Sequence, residues 1–177
     1  MTMEALFNNV ENAISQYEQA CAQEETLYDL MRDAERDLNY YSSQASSASD
    51  VEDNSAQRAA LEQMREAALR LKQYQNQLQQ VQAAKAQAQN YLISTRSELT
   101  NVVRAIEEKL PKFDQSISTF EQMASNPFGA SATAQLPKLR ATREEYQRNL
   151  NDAYSLIERI DSALNGSGTS PRRVLRR

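Results

Sequence analysis

Side chains that could do covalent or metal chemistry are scarce in this chain. It has no histidine and a single cysteine, Cys21. Without histidine there is no Ser-His or Cys-His nucleophile activation, no histidine metal ligand and no Glu-x-x-His pair of the di-iron helical bundles. Cys21 lies between Ala20 and Ala22, where a cysteine more often acts as a small buried hydrophobe than as a nucleophile. We therefore predict no enzymatic activity, no metal or cofactor site and no small-molecule substrate.

Glycine and proline, which allow sharp turns, are rare as well. The chain has three glycines, the first at residue 129, and four prolines, the first at residue 111. A glycine-rich loop that holds phosphate needs more glycine than this. The remaining composition is rich in Ala, Gln, Glu, Arg and Leu, which favours long helices. The sequence therefore predicts an all-α protein.

An apolar stripe runs through the first segment at positions spaced alternately by three and four residues. Thirteen of its fourteen positions between Met3 and Ala48 are apolar or tyrosine, and Glu24 is the exception. A further stripe with seven-residue spacing lies beside it. Three apolar positions per heptad form a face wide enough to contact two neighbouring helices, so we expect part of this face to be uncovered. The candidate partner-binding residues on it are Phe7, Ile14, Cys21 and Tyr28.

The same periodicity continues after a polar stretch and predicts three long helices, at about 3–48, 55–125 and 133–165. The second helix takes an extra four-residue step between Leu92 and Val103, which is a stutter. Its phase continues through Pro111, so we predict a kink there rather than a stop; a new helix starting at Pro111 is the alternative. Pro137 fits the first turn of the third helix.

Short connections make sequential helices antiparallel neighbours. The sequence thus predicts an elongated antiparallel helical bundle or coiled coil, with one domain over residues 1–166 and a flexible basic tail at 167–177. The outer helices should meet opposite the stutter, where packing changes from two helices to three. Back-folding around the polar stretch would place Lys85 nearer residue 18 than Glu24, so we do not expect these two charges to pair.

Charge is unevenly distributed. Residues 1–53 carry 12 acidic and 2 basic side chains, whereas residues 54–110 carry a net +3. The tail adds four candidate partner-binding arginines that could contact phosphate groups or an acidic protein: Arg172, Arg173, Arg176 and Arg177. A solvated tail is the competing interpretation. The acidic body would repel a polyanion, so nucleic acid is not an expected partner, and membrane contact would have to come through the tail.

Two further features concern partners and compartment. The tripeptide Asn126-Pro127-Phe128 resembles the short ligand of the EH domains of endocytic proteins, although it is also common turn chemistry. No basic segment followed by an apolar one opens the sequence, and one cysteine forms no intramolecular disulfide. We expect a cytoplasmic protein, with export without a cleaved signal peptide as the alternative.

These observations favour a non-enzymatic structural or adaptor protein that acts through helix–helix contacts, by binding a protein partner or by self-association. The first alternative is a substrate or partner of type VII secretion. The first helix and half of the second resemble the helical hairpins of that system, but the chain lacks their Trp-x-Gly turn. The second alternative is a membrane-remodelling protein similar to BAR domains, which also have three long helices, one of them kinked. The acidic first segment argues against a membrane-binding face.

Overall fold

The computed structural model describes residues 3–50, 53–125 and 130–166. It contains three α-helices: α1 (Met3–Asp50), α2 (Asn54–Ala124) and α3 (Ala130–Gly166). Among the described residues, only Asp53 and Ser125 lie outside a helix, and none is in a strand. The prediction of an all-α bundle of three long helices is confirmed, and the expected helix ends differ from the observed ones by three residues or fewer.

The change from α1 to α2 depends on side-chain hydrogen bonds to the backbone. The hydroxyls of Ser46 and Ser47 donate to the carbonyls four residues earlier, and α1 remains helical through this serine-rich stretch to Asp50. Asp53 then caps α2, because its Oδ1 accepts the backbone N–H groups of Ser55 and Ala56 at 3.1 and 3.0 Å. The sequence therefore specifies the start of α2 through one aspartate.

The contacts divide the chain into two compact units. The first, which we call the hairpin unit, is Ser15–Ala88 and pairs residues 15–50 of α1 with residues 54–88 of α2 in antiparallel orientation. Ion pairs between Asp37 and Arg70 and between Glu24 and Lys85 define this orientation. Its buried residues are mainly small: Tyr17, Ala20, Leu27, Ala34, Ala45, Ala48, Ala60, Ala67 and Ala88.

The second unit, which we call the three-helix unit, comprises residues 1–14 and 89–177. Its core has larger side chains than that of the hairpin unit. The largest fully buried ones come from all three helices: Val10 from α1, Leu92 and Leu99 from α2, and Leu156 and Ile160 from α3. The presence of α1 beside α3 confirms the prediction that packing changes to three helices near the stutter.

The stutter itself appears in the burial pattern of α2. Leu92, Thr95, Leu99, Val103 and Ile106 are all buried. The two consecutive four-residue steps from Thr95 to Val103 are the extra step that the sequence predicted. Consecutive steps of this kind unwind a left-handed supercoil locally. The change of period lies where α2 meets two helices instead of one.

Two prolines lie inside helices, and the structure agrees with the prediction for one of them and not for the other. Pro111 lies within α2, so the prediction that the helix continues through it is confirmed. Pro137 was predicted in the first turn of α3, and this is wrong: α3 begins at Ala130, so Pro137 is its eighth residue. The helix extends backwards because residues 130–136 are rich in alanine and contain no glycine or proline, and Ala132 is buried.

Candidate partner-binding surface

The candidate residues Phe7 and Ile14 lie in the three-helix unit, and both are half-buried. The guanidinium of Arg159 on α3 stacks over the Phe7 ring, with its carbon 5.0 Å from the ring centroid. The same guanidinium pairs with Glu11 at 2.5 Å between Nη2 and Oε2. A basic residue of a neighbouring helix thus covers an apolar position of α1 and pairs with the glutamate four residues after it.

Cys21 and Tyr28 lie in the hairpin unit, where they have less cover. Cys21 is half-buried, and Tyr28 is 46% exposed. The Tyr28 hydroxyl accepts a hydrogen bond from the amide of Gln82 on α2, at 3.2 Å. The hydroxyl is therefore held by a hydrogen bond, while nearly half of the residue remains accessible to solvent or to a partner.

Glu24, the charged residue in the apolar stripe, pairs with Lys85. The prediction that they do not pair is wrong: Lys85 Nζ lies 2.6 Å from Glu24 Oε2. The hairpin closes close to the expected place, but α1 and α2 are displaced along their axes, as the pairs of Asp37 with Arg70 and of Glu24 with Lys85 show. The long lysine side chain spans part of this offset, since each residue rises about 1.5 Å along a helix.

The surroundings of this pair favour both charged forms. The hydrogen bond from Lys85 lowers the pKa of the Glu24 carboxyl, and further donors from Gln82 and Tyr28 add to this while burial opposes it. The same hydrogen bond raises the pKa of Lys85. The Gln82 amide also donates to Glu24 Oε1 at 3.0 Å. The hydrogen bonds from Lys85, Gln82 and Tyr28 thus favour the ionised carboxylate of Glu24, as expected for a structural ion pair.

Ion pairs and hydrogen bonds also join α2 to α3 in the three-helix unit. Ion pairs join the two helices at several levels, and Tyr154 donates a hydrogen bond to Glu107, which raises the pKa of the Tyr154 phenol. The hydrogen bond to Asp161 likewise raises the pKa of Arg96. The interhelical ion pairs are Arg96–Asp161, Arg143–Asp114 and Arg140–Glu121.

Two open grooves lie on the hairpin unit. One, of about 440 Å³, is lined by residues that lack any ionisable group: Ala22, Gln23, Thr26, Leu27, Gln77, Gln80 and Val81. The other, of about 510 Å³, lies beside the α2 cap, and its one carboxylate, Asp53, is already bound to backbone N–H groups. Neither groove brings together an acid, a base and a nucleophile.

The four predicted site residues of the tail, Arg172, Arg173, Arg176 and Arg177, lie outside the described residues, as does the tripeptide 126–128. Within residues 3–50, 53–125 and 130–166, no cluster of three or more His, Cys, Asp or Glu side chains is arranged to hold a metal ion. Over the same ranges, no helix combines the length and apolarity needed to cross a membrane.

Sequence reasoning missed Arg159, which is the residue that covers Phe7. A signal for it was present, because Glu4, Glu11, Glu18 and Glu25 repeat every seven residues beside the second apolar stripe. Such a repeat favours a basic residue on a neighbouring helix. The glutamate repeat does not indicate which helix provides this basic residue, because that depends on tertiary packing.

The described chain is an all-α helical bundle whose ionisable groups mostly join helices or face solvent. Comparisons with protein families, with curated proteins and with solved structures find no match.

Proposed function

We propose that the protein is a non-enzymatic structural or adaptor protein that works through helix–helix contacts within a larger assembly. The observation that supports this is that the second apolar stripe of α1 is covered in one unit and exposed in the other. In the three-helix unit, Arg159 covers Phe7, whereas in the hairpin unit Tyr28 remains 46% exposed. An exposed aromatic residue on a rigid helix contributes contact area at little entropic cost. We infer that this part of α1 receives a protein partner.

We propose that the protein acts in the cytoplasm; the alternative is that it is exported without a cleaved signal peptide. A single cysteine gives the chain no intramolecular disulfide framework, which is the usual feature of small secreted domains. The antiparallel α1–α2 hairpin unit supports the type VII secretion alternative, because it resembles the hairpins of that system in architecture. Loss of the chain from culture supernatants on deletion of that secretion apparatus would favour the alternative.

Affinity capture from the native source, with the full chain as bait, tests the proposal. We expect a protein to be retained, and Tyr28→Ser to reduce its recovery at least about fivefold because the aromatic contact is lost. Tyr40→Ser is the matched control, since Tyr40 is 58% exposed and also lies on α1 of the hairpin unit. A chain that is strictly monomeric by light scattering and retains no protein would contradict the proposal.

A further inference from the structure

We propose that the hairpin unit binds a second copy of this chain, through an acidic surface on α1 of one copy and a basic surface on α2 of the other. This inference rests on the proposed function and names its partner. The acidic ridge comprises Glu18, Cys21, Glu25 and Tyr28, and the basic ridge comprises Arg58, Leu61, Arg65, Ala68 and Lys72.

The two ridges have the same layout with opposite charge. On the acidic ridge, each glutamate precedes an apolar or aromatic residue by three positions, as in Glu25 and Tyr28. On the basic ridge, each arginine precedes an apolar residue by three positions, as in Arg58 and Leu61. Both patterns repeat every seven residues, so each forms one continuous strip along its helix. Docking one strip on the other places opposite charges beside an apolar seam.

Both ridges face the same side of the hairpin unit. Tyr28 of the acidic ridge contacts Gln82 of α2 across the hairpin. Leu61 and Ala68 precede Gln82 by 21 and 14 residues, which are whole heptads, so they lie on the same side of α2 as Gln82. A second molecule approaching this side can therefore reach both ridges.

The charged residues of the ridges are available. Glu18, Glu25, Arg58, Arg65 and Lys72 are all exposed. The ion pairs found within the described ranges involve other residues, such as Arg70 with Asp37. Leu61 is 45% exposed, which matches the exposure of Tyr28. Each ridge thus offers both unpaired charge and uncovered apolar surface.

The two ridges cannot meet within one molecule. Contacts such as Asp37 with Arg70 and Glu24 with Lys85 fix the hairpin register. In this register, the middle of the basic ridge lies opposite a point on α1 roughly 20 residues from the middle of the acidic ridge, or about 30 Å at 1.5 Å per residue. Rigid helices hold the ridges at this separation, so a second copy is needed to bring them together. In a two-fold dimer the contact would form twice.

The three-helix unit shows how α1 uses an earlier repeat of the same pattern. There, Arg159 of α3 pairs with Glu11 and stacks on Phe7. Glu18 and Glu25 follow Glu11 at seven-residue spacing, and Cys21 and Tyr28 stand in the same relation to Phe7. A basic residue on a neighbouring helix is therefore the contact that this repeat already accepts, and the basic ridge of α2 offers three such residues, Arg58, Arg65 and Lys72.

Sedimentation velocity of the full chain over a concentration series tests the inference. We expect a dimer that weakens as salt is added, because its charged contacts lie at the surface. Reversing the acidic ridge with E18K and E25K, or the basic ridge with R58E and R65E, should raise the dimer dissociation constant at least about tenfold. A dimer that is unchanged by both reversals, or a wild-type chain that stays monomeric throughout the series, overturns the inference.

The decisive experiment mixes the two charge-reversed variants and tests whether opposite charges on the two ridges restore the dimer. When the two reversed variants are mixed, one contact sets the new lysines of one chain against the new glutamates of the other. The second contact keeps the native glutamates and arginines, so the dimer should return, whereas each variant alone dimerises weakly. The controls are E98K with E108K and R104E with R148E, which change the net charge equally at exposed positions in the three-helix unit, away from both ridges. They should dimerise like the wild type, and far-UV circular dichroism should show equal helicity for all chains. Failure of the mixture to restore the dimer, with helicity intact, contradicts the inference.

The experiment separates failure of this inference from failure of the proposed function. A monomeric chain that still retains another protein in affinity capture overturns self-association and leaves the adaptor function standing. A monomeric chain that retains no protein in affinity capture contradicts both self-association and the adaptor function.

Discussion

At the scale of single residues, Glu24 and Lys85 join α1 to α2 with side chains that are only 17% and 29% exposed, respectively. An exposed ion pair contributes about 0–1 kcal/mol, whereas removing one partner of a fully buried pair costs about 3–5 kcal/mol. This pair lies between those cases. We expect Lys85→Ala to lower the free energy of unfolding by about 1–3 kcal/mol, measured by urea denaturation, because it leaves the Glu24 carboxylate poorly solvated without its cation.

Two comparisons isolate that effect. Arg32 pairs with Asp29, but their side chains are 68% and 66% exposed, so Arg32→Ala should change the free energy of unfolding by no more than about 0.5 kcal/mol. Replacing both Glu24 and Lys85 by leucine removes the desolvated charges and should recover most of the loss. If Lys85→Ala were as mild as Arg32→Ala, the pair would have no structural role beyond that of a surface contact.

The same pair predicts a pH dependence with a definite sign. The pKa of Glu24 is lowered in the folded chain from its ordinary value of 4.5, chiefly by the hydrogen bond from Lys85. Its ionisation therefore stabilises the fold above pH 4.5, and this stabilisation is lost as pH falls through the folded pKa. The pKa of Lys85 is raised from 10.5, so its contribution is lost only in strong alkali. The stability difference between wild type and Glu24→Gln should be constant near pH 7 and shrink below pH 4.5; a constant difference down to pH 3 would contradict it.

At the scale of helices, α2 carries Pro111 in its interior, at an exposed position. Proline in a helix interior is about 3 kcal/mol less favourable than alanine, although a freer unfolded chain offsets part of the gain on replacement. We expect Pro111→Ala to raise the free energy of unfolding by about 1–2 kcal/mol in urea denaturation. The neighbouring ring contact between Phe113 and Tyr146, with centroids 5.2 Å apart, should survive. A loss of stability would mean that a bend at the proline is needed for that contact.

The alanine-rich core of the hairpin unit gives a second prediction for α2. Ala67 is fully buried, and a core packed at native density has little space for a larger side chain at such a position. Ala67→Leu should therefore lower the free energy of unfolding by about 1–3 kcal/mol in thermal or urea denaturation. Ala59→Leu, at an exposed position of the same helix, should have little effect. Equal effects of the two substitutions would show that helix separation here is not limited by the small side chains.

The helices and their buried faces were largely predictable, because a seven-residue repeat is a local property of the sequence. Positions such as Leu92, Leu99 and Ile106 were assigned to the apolar face of α2, and all are buried. The pairing of Glu24 with Lys85 was not predictable, because it depends on how far α1 and α2 are displaced along their axes, and tertiary packing rather than the loop position determines that register. Arg159 was missed for a related reason: its contact with Phe7 requires α1 and α3 to lie side by side.

At the scale of the whole molecule, charge is separated along the sequence rather than mixed. Residues 1–53 carry a net charge of −10, and the last seven residues carry +4, in a chain of net −4. Residues 1–166 therefore carry a net charge of −8, and the four tail arginines neutralise half of it. Such a distribution favours association with basic helices and opposes association with anionic surfaces, unless the tail acts alone.

This balance predicts weak membrane binding. Each arginine near an anionic lipid surface contributes about 1 kcal/mol, so four give about 4 kcal/mol, which corresponds to a dissociation constant of about 1 mM. We expect no sedimentation of the full chain with anionic vesicles at about 0.15 M salt, and binding at low salt that disappears when residues 167–177 are removed. Neutral vesicles are the control. If the chain shortened to residue 166 still bound anionic vesicles, the helices themselves would provide the contact. The alternative that resembles BAR domains would then replace the proposed adaptor function.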